Sequence, residues 1–532
     1  MAHTLRRAAS GNPAHVAALA AGIGAVAVIR TTMLPTVGSW DTAEAQVVLP
    51  VMGTMHPTGF PAFVLLGWLA SVVLQPFGSP AFRMNLMSAL LVGVAVAGMV
   101  PVARRLGAPV ALALAVAAGF ALTPIVWDIG NAADVHALHI ALVVLVVLGL
   151  LRWEALVARH REHPDDPGLR RRADRAIVLT AAVFGVAVAN HGLALLLIPA
   201  IGLYVLSVEP GVLRRPRLVV SALGICLGVA ALLYLELPLR AGPFRAPLVY
   251  GHPETWTGFW DIVLARQFQG DVRPLADLSG RIRDLVALAS AQLGPLVALV
   301  PVGLLVTAFR HPRYALLSSV ATAVTCFFAA SYANAQIDRY YLGPVFFAWT
   351  WVAVLAVAIV EAAGGRRDGP RLTHRDDALP VYVPSWRNPR TILALALGAA
   401  LLVPTAAALP ERWRALDRSR ETWVETWLDD ALTAMEPNAV VISWWSYSTP
   451  LFYAQLVEGR RPDILILDDQ TRVDLGLTEI PKVIDANLGK RPVYVIRAQG
   501  SQIQDLATQY RIEPVGAPAN LYRVTGRKET TP

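Results

Sequence analysis

Long apolar runs alternate with short polar ones over the first 409 residues, a spacing that predicts membrane-spanning helices. Runs of spanning length fall near 14–34, 84–103, 109–127, 135–151, 176–190, 191–207, 218–238, 290–309, 314–331, 341–361 and 391–409, about eleven in all. One further apolar stretch, 58–76, is interrupted by Pro61, and if it spans, every later loop changes side. After about Pro410 charges become frequent. Short β-rich runs at Val440–Trp444, Asp463–Leu467 and Val493–Ile496 then alternate with helix-like segments such as 448–458. The pattern predicts a mainly α, polytopic membrane protein over 1–409 and a small soluble α/β domain over 410–532. No internal repeat is visible.

Arginine placement decides the ambiguous stretch. With 58–76 lying along the interface and the N-terminus cytoplasmic, the inner loops hold Arg104-Arg105, the run Arg152 to Arg175, Arg214-Arg215-Arg217, Arg310 to Arg313 and Arg366 to Arg390. Every inner loop is then basic, as the positive-inside rule requires. The outer loops carry Asp41, Glu44, Asp128, Asp134, Glu254 and Asp338, and the C-terminal domain falls on their side. The segment 365–390, with Gly364-Gly365 and Pro370, reads as a flexible cytoplasmic linker.

Composition agrees: 55% of the 532 residues are hydrophobic, 16% are charged and the mean hydropathy is +0.50, far from a soluble chain. Arg6 and Arg7 precede the first run, which reads as a first span and not a cleaved signal, because many others follow it. The formal charge of +8 lies mostly beside apolar segments, so topology explains it better than nucleic acid does. Cys226 and Cys326 both sit in apolar runs, which excludes a disulfide framework or a cysteine metal site. Against this background Asp41 and Glu44, just past the first span, stand out. Acids at a membrane exit are costly and point to function, and three residues apart they share one face of a helix or turn.

Several motifs follow in order: Asp41-Thr-Ala-Glu44, His56-Pro-Thr-Gly-Phe-Pro61, Phe82-Arg83-Met-Asn-Leu-Met-Ser88, Ala133-Asp134-Val-His136, Asn190-His191-Gly192 and Tyr234-Leu-Glu-Leu-Pro-Leu-Arg240. Together with the topology, this series resembles the GT-C superfamily of lipid-linked sugar glycosyltransferases. Within it the series is similar to the branch that includes the O-mannosyltransferase of plexin-type receptors and its bacterial relatives. The resemblance runs from about residue 20 to 345 and more weakly to Trp444–Asp463. It implies an outer-face active site, a polyprenyl-phosphate sugar as donor, an acid of the first outer loop as general base, and 58–76 lying along the membrane. The chain departs from the branch at Thr42, where Ser-Gly commonly precedes the glutamate, and at Asp134-Val-His136, where Glu-Val-Tyr is common.

Asp41 reads as a general base taking the proton of an acceptor hydroxyl, or as a helix N-cap. Glu44 is its catalytic partner or a first-turn dipole partner. Arg83, between 58–76 and the next span, is the first choice for the donor phosphate, with Arg240 and Arg339 behind it; the plain alternatives are a snorkelling arginine and a local Asp338-Arg339 pair. His56, Asp134, His191 and Tyr340 complete the expected substrate-binding set. His136 and His139 share a helix face but lack a third ligand, so they read as satisfied bundle histidines. Trp444, Trp445 and Tyr447 either stack on sugar or pack. No metal site is assigned and no cofactor is required. A divalent cation shared by Asp41 and Glu44 stays open, because the resemblance covers enzymes with and without one.

The resulting expectation is an inverting glycosyltransferase of a cell's inner (plasma) membrane. It moves a sugar, a mannose-like hexose favoured, from a polyprenyl-phosphate donor in the bilayer to protein Ser/Thr hydroxyls, or to a cell-envelope glycan or lipid. The rivals are a flippase for lipid-linked sugars, which would favour inverted repeats, and a non-catalytic envelope scaffold.

Overall fold

The computed structural model describes residues 13–272, 278–333, 336–363, 388–477, 479–497 and 500–528. The expected linker lies almost wholly outside these residues. Among them nine helices are long and apolar enough to cross a membrane. A bent pair, Val110–Ala121 and Pro124–Asn131, and the shorter run Gly192–Val208 account for the other two runs read from the sequence.

Several helices begin with a proline at the first turn, among them Pro61–Val73, Pro80–Arg105, Pro167–Asn190, Pro216–Tyr234 and Pro312–Ala330. There the missing N–H costs nothing and the fixed φ favours the helix. The first two long helices cross through Gly22 and Gly93. A Cβ on Gly22 would stand 2.7 Å from the Gly93 carbonyl oxygen, so only glycine permits this approach.

The bundle has two chemically different ends. At one, Arg170 meets Glu209 at 2.5 Å, Arg215 reaches Asp174, Arg313 reaches Glu154 at 3.0 Å, and Arg310 pairs with Glu361. At the other end stand Asp41, Asp134, His191 and Arg339. The helix Pro61–Val73 never leaves this second end: Phe60 before it faces His191 at 5.3 Å, and the Ser71 carbonyl near its end accepts from Arg83 at 2.8 Å. It is therefore a non-crossing segment, as the arginines require.

The last long helix, Pro389–Leu416, runs seven residues beyond 409 before the α/β region starts. There β1 (Val440–Ile442), β2 (Leu465–Leu467), β3 (Val493–Ile496), β4 (Tyr510–Pro514) and β5 (Leu521–Arg527) form one sheet in the order β2-β1-β3-β5-β4. β1 pairs parallel with β2 and β3, and β5 runs antiparallel to both β3 and the edge strand β4. One face of the sheet buries Val440, Ile442, Val493 and Val495 with Val483 and Ile484. The other buries Val441, Tyr494 and Ile496 in a core continuous with Ala43, Val47 and Phe63 of the bundle. The α/β region is thus welded to the first loop. Its helix Trp445–Leu456 lies on the helix Trp40–Val51, and Tyr453 Oη accepts the Ala81 amide at 3.1 Å.

Candidate active site

Asp41 stands in the first turn of the helix Trp40–Val51, whose N-cap is Ser39, so capping is not its role. It lines a cleft of about 1210 Å³ at the site end of the bundle, together with His56, Asp134, His136, His191, Arg339 and Tyr340. The indole N–H of Trp445, from the α/β region, donates to Asp41 Oδ1 at 3.3 Å.

Glu44, one turn further along the helix, is wholly buried and is not part of the cleft wall. Its carboxylate accepts the His56 amide at 2.7 Å and contacts His56 Nδ1. The structure does not bring Glu44 to the cleft beside Asp41: the i, i+3 spacing aims one acid at the cleft and the other beneath it, where it holds the 56–60 turn. Burial works against a charged His56, but Glu44 and then Asp41 outweigh it and lift its pKa to about 9 from 6.5. Glu44 is raised too, by burial first, with His56 opposing and Asp41 adding. The pair therefore keeps a proton through neutral pH.

A raised histidine stabilises the fold fully below its unfolded pKa and loses that contribution as pH climbs through its folded one. His56→Gln is thus expected to cost about 1–3 kcal/mol near neutral pH. The gap in melting temperature from wild type should shrink as pH rises through about 9. A gap that stays constant across this range, in melting curves at stepped pH, would remove the pair from the stability of the loop.

Across the cleft, Asp134 caps the helix Val135–Glu162. Its Oδ1 accepts the His136 amide at 2.8 Å and meets His136 Nδ1 at 2.9 Å, while Oδ2 lies 2.7 Å from Arg339 Nη1. Burial opposes this carboxylate, but the Arg339 charge and the hydrogen bonds it accepts from His136 hold its pKa below the usual range. Asn85 ties the two walls: its Oδ1 accepts from Gln46 Nε2 at 2.9 Å and from the Ala133 amide at 2.8 Å, and its Nδ2 donates to the Leu34 carbonyl at 2.9 Å. Ser88 Oγ accepts the Asp134 amide at 3.0 Å. The motif around Arg83 therefore builds the site through Asn85 and Ser88.

Arg83 itself is not brought to the cleft. It lies ~200° round the helix from Asn85, where its guanidinium donates to Ser71. Arg240 is likewise outside, because its guanidinium donates to the Met52 and Val51 carbonyls at 2.7 and 3.1 Å and caps the helix that carries Asp41. Of the three arginines weighed for phosphate, Arg339 alone lines the cleft. Trp444 packs on Trp40 and Tyr447 on Trp427, with ring centroids 5.4 and 4.9 Å apart.

Ligand atoms of Asp41, Glu44 and His56 all lie within 4.8 Å of one another. Two carboxylates and an imidazole are a donor set suited to a divalent cation.

Residues 41–210 match the family model described as the N-terminal domain of protein O-mannosyl-transferase TMEM260. The mouse (Mus musculus) protein of that name is 28% identical over 242 residues, 44% of this chain; the match spans 32% of the relative's length, about a third. Among solved structures, ArnT from Cupriavidus metallidurans, bound to undecaprenyl phosphate, superposes with a TM-score of 0.56 at 15% identity, over 97% of this chain and 98% of that one. The archaeal oligosaccharyltransferase AglB from Archaeoglobus fulgidus, in complex with an inhibitory peptide and a dolichol-phosphate, gives 0.52 at 13% identity, over 97% and 74%. The chain thus has the GT-C fold implied by its motifs, as a multi-pass membrane protein.

Proposed function

We propose that this protein is an inverting glycosyltransferase that moves a sugar from a polyprenyl-phosphate donor to an acceptor hydroxyl outside the cytoplasm. The observation that carries the reading is one cleft, at the membrane end of a GT-C bundle, with a carboxylate on one wall and an arginine on the other. Asp41 takes the acceptor proton as its oxygen attacks the anomeric carbon, and the carrier phosphate leaves with the bonding electrons beside Arg339. A single displacement of this kind inverts the anomeric centre. The names of the similar proteins support it: an O-mannosyl-transferase, and two enzymes solved with polyprenyl phosphates, one of them with a peptide also bound. Protein Ser/Thr hydroxyls are accordingly the favoured acceptor, ahead of an envelope glycan or lipid. Asp41, Glu44 and His56 would hold a divalent cation if the enzyme uses one, and it would supply Lewis-acid chemistry.

Transfer from a polyprenyl-phosphate mannose to peptides, glycans and lipids by the purified protein tests the activity. Loss of turnover with a chelator would assign the cation; no transfer from any polyprenyl-phosphate sugar would refute the reading.

The basic cluster of Arg170, Arg215, Arg310 and Arg313 at the end away from the cleft supports an outer-facing cleft. In a background lacking Cys226 and Cys326, cysteine at position 444, with position 71 at or near the same surface, is expected to react with an impermeant thiol reagent in intact cells, and cysteine at 172 is not. Arg375, the second inner position, lies outside the described residues but carries the same expectation as 172. Labelling at 172 alone would invert the topology.

A further inference from the structure

We infer that His136 and His191 together bind one hydroxyl of the transferred sugar, His136 Nε2 accepting from it and His191 Nε2 donating to it. The inference rests on the glycosyl-transfer reading and assigns its sugar pocket.

The tautomers carry the argument. Asp134 Oδ1 sits 2.9 Å from His136 Nδ1, an acceptor that keeps a proton on Nδ1 and, in the neutral ring, leaves the lone pair on Nε2. In His191 the order is reversed: Nδ1 accepts the Leu193 amide at 3.1 Å, which leaves the proton on Nε2. The two ring centroids are 4.9 Å apart, and both rings line the cleft beside Tyr340. A lone pair and an N–H are thus offered by neighbouring rings in one wall.

His136 is only 8% exposed, and its Nε2 is buried with no hydrogen-bond partner among the described residues. A satisfied bundle histidine would have one, because a buried polar atom left unpaired costs about 1–3 kcal/mol. The ring lines the cleft, and the partner assigned to this atom is a group seated there. A phosphate diester oxygen has no proton to give to a lone pair, and a polyprenyl chain has neither donor nor acceptor. A hydroxyl both donates and accepts, which matches the two rings. Arg339, bound to the other oxygen of Asp134, leaves the phosphate a cation on the same wall. His139 also has a buried unpartnered nitrogen but does not line the cleft, so it is left out.

The test uses the full-length protein with polyprenyl-phosphate mannose and its monodeoxy analogues, one for each ring hydroxyl, and measures affinity and turnover for each. Wild type should bind one analogue roughly tenfold to a hundredfold more weakly than the parent. His136→Phe should lose a similar factor for the parent donor and cease to distinguish that analogue from it. His191→Asn can still accept the Leu193 amide but withdraws the distant N–H, and should do the same. His136→Gln, which restores a carbonyl acceptor, should recover part of the discrimination. If His136→Phe does not fold, His191→Asn and His136→Gln decide the matter. Wild-type transfer with every monodeoxy penalty unchanged in the variants overturns the histidine assignment alone. A wild type that neither binds nor transfers any of these donors overturns the glycosyl-transfer reading and this inference with it.

Discussion

Asp41→Asn is expected to fold, bind the lipid donor with near wild-type affinity and transfer sugar on the order of a hundredfold to ten-thousandfold more slowly, the usual worth of a positioned general base. The substitution keeps the shape of the side chain and an oxygen for the Trp445 indole N–H, but the amide cannot take a proton. Glu44 cannot stand in, because it lies beneath the cleft wall and both its oxygens are engaged by His56. Glu44→Gln should therefore behave differently. It keeps the buried volume and weakens the grip on the 56–60 turn, so stability should fall along with activity. Steady-state transfer rates, donor titrations and melting curves on the two variants separate the roles. An Asp41→Asn enzyme at wild-type rate would move the base elsewhere, and a stable Glu44→Gln enzyme without turnover would restore Glu44 as a reacting group.

Much of this architecture was legible because membrane physics writes it in plain terms. Apolar length gave the spans, and arginine placement kept 58–76 from crossing, since hydrocarbon tolerates neither an unpaired backbone nor a random scatter of charge. The acids were legible for the same reason. What the linear pattern could not give was direction around a helix that packs against protein over most of its surface. Arg83 and Asn85 are two residues apart in one motif, yet one holds a loop carbonyl and the other ties the site walls together. Arg240 looked like a free cation at a span end, whereas its fork is closed on the carbonyls of Val51 and Met52. His136 was the opposite case. Its companion His139 made it look like packing, while the informative neighbour was Asp134, two positions earlier at the helix cap. Trp445 could not be tied to Asp41 from the sequence, because 404 residues separate them and only the docking of the α/β region brings them together.

Arg339→Ala is expected to have the second largest effect, and in two separable ways. The guanidinium faces Asp134 at 2.7 Å and Asp128 at 3.9 Å, and the Asp134 side chain is only 4% exposed. Removing one partner of so buried a pair strands the other charge, at a cost of roughly 3–5 kcal/mol, so the alanine variant should melt early. Adding Asp134→Asn removes the stranded charge and should return most of that stability. Donor binding should not return with it: the cleft then keeps only the exposed Arg266, which is paired with Asp261, and a charge-assisted hydrogen bond to phosphate contributes on the order of 1.5–3 kcal/mol, or about tenfold to more than a hundredfold in affinity. Arg339→Lys should lie between, because lysine keeps the charge and loses the fork that spans carboxylate and phosphate together. Arg83→Ala serves as the contrast and should leave donor affinity near wild type, since its guanidinium is spent on Ser71. Titrating a polyprenyl-phosphate sugar against these four proteins settles the phosphate site: weakened binding in Arg83→Ala, with the Arg339→Ala/Asp134→Asn pair at wild-type affinity, would place the phosphate at the junction of the interfacial helix and not in the cleft.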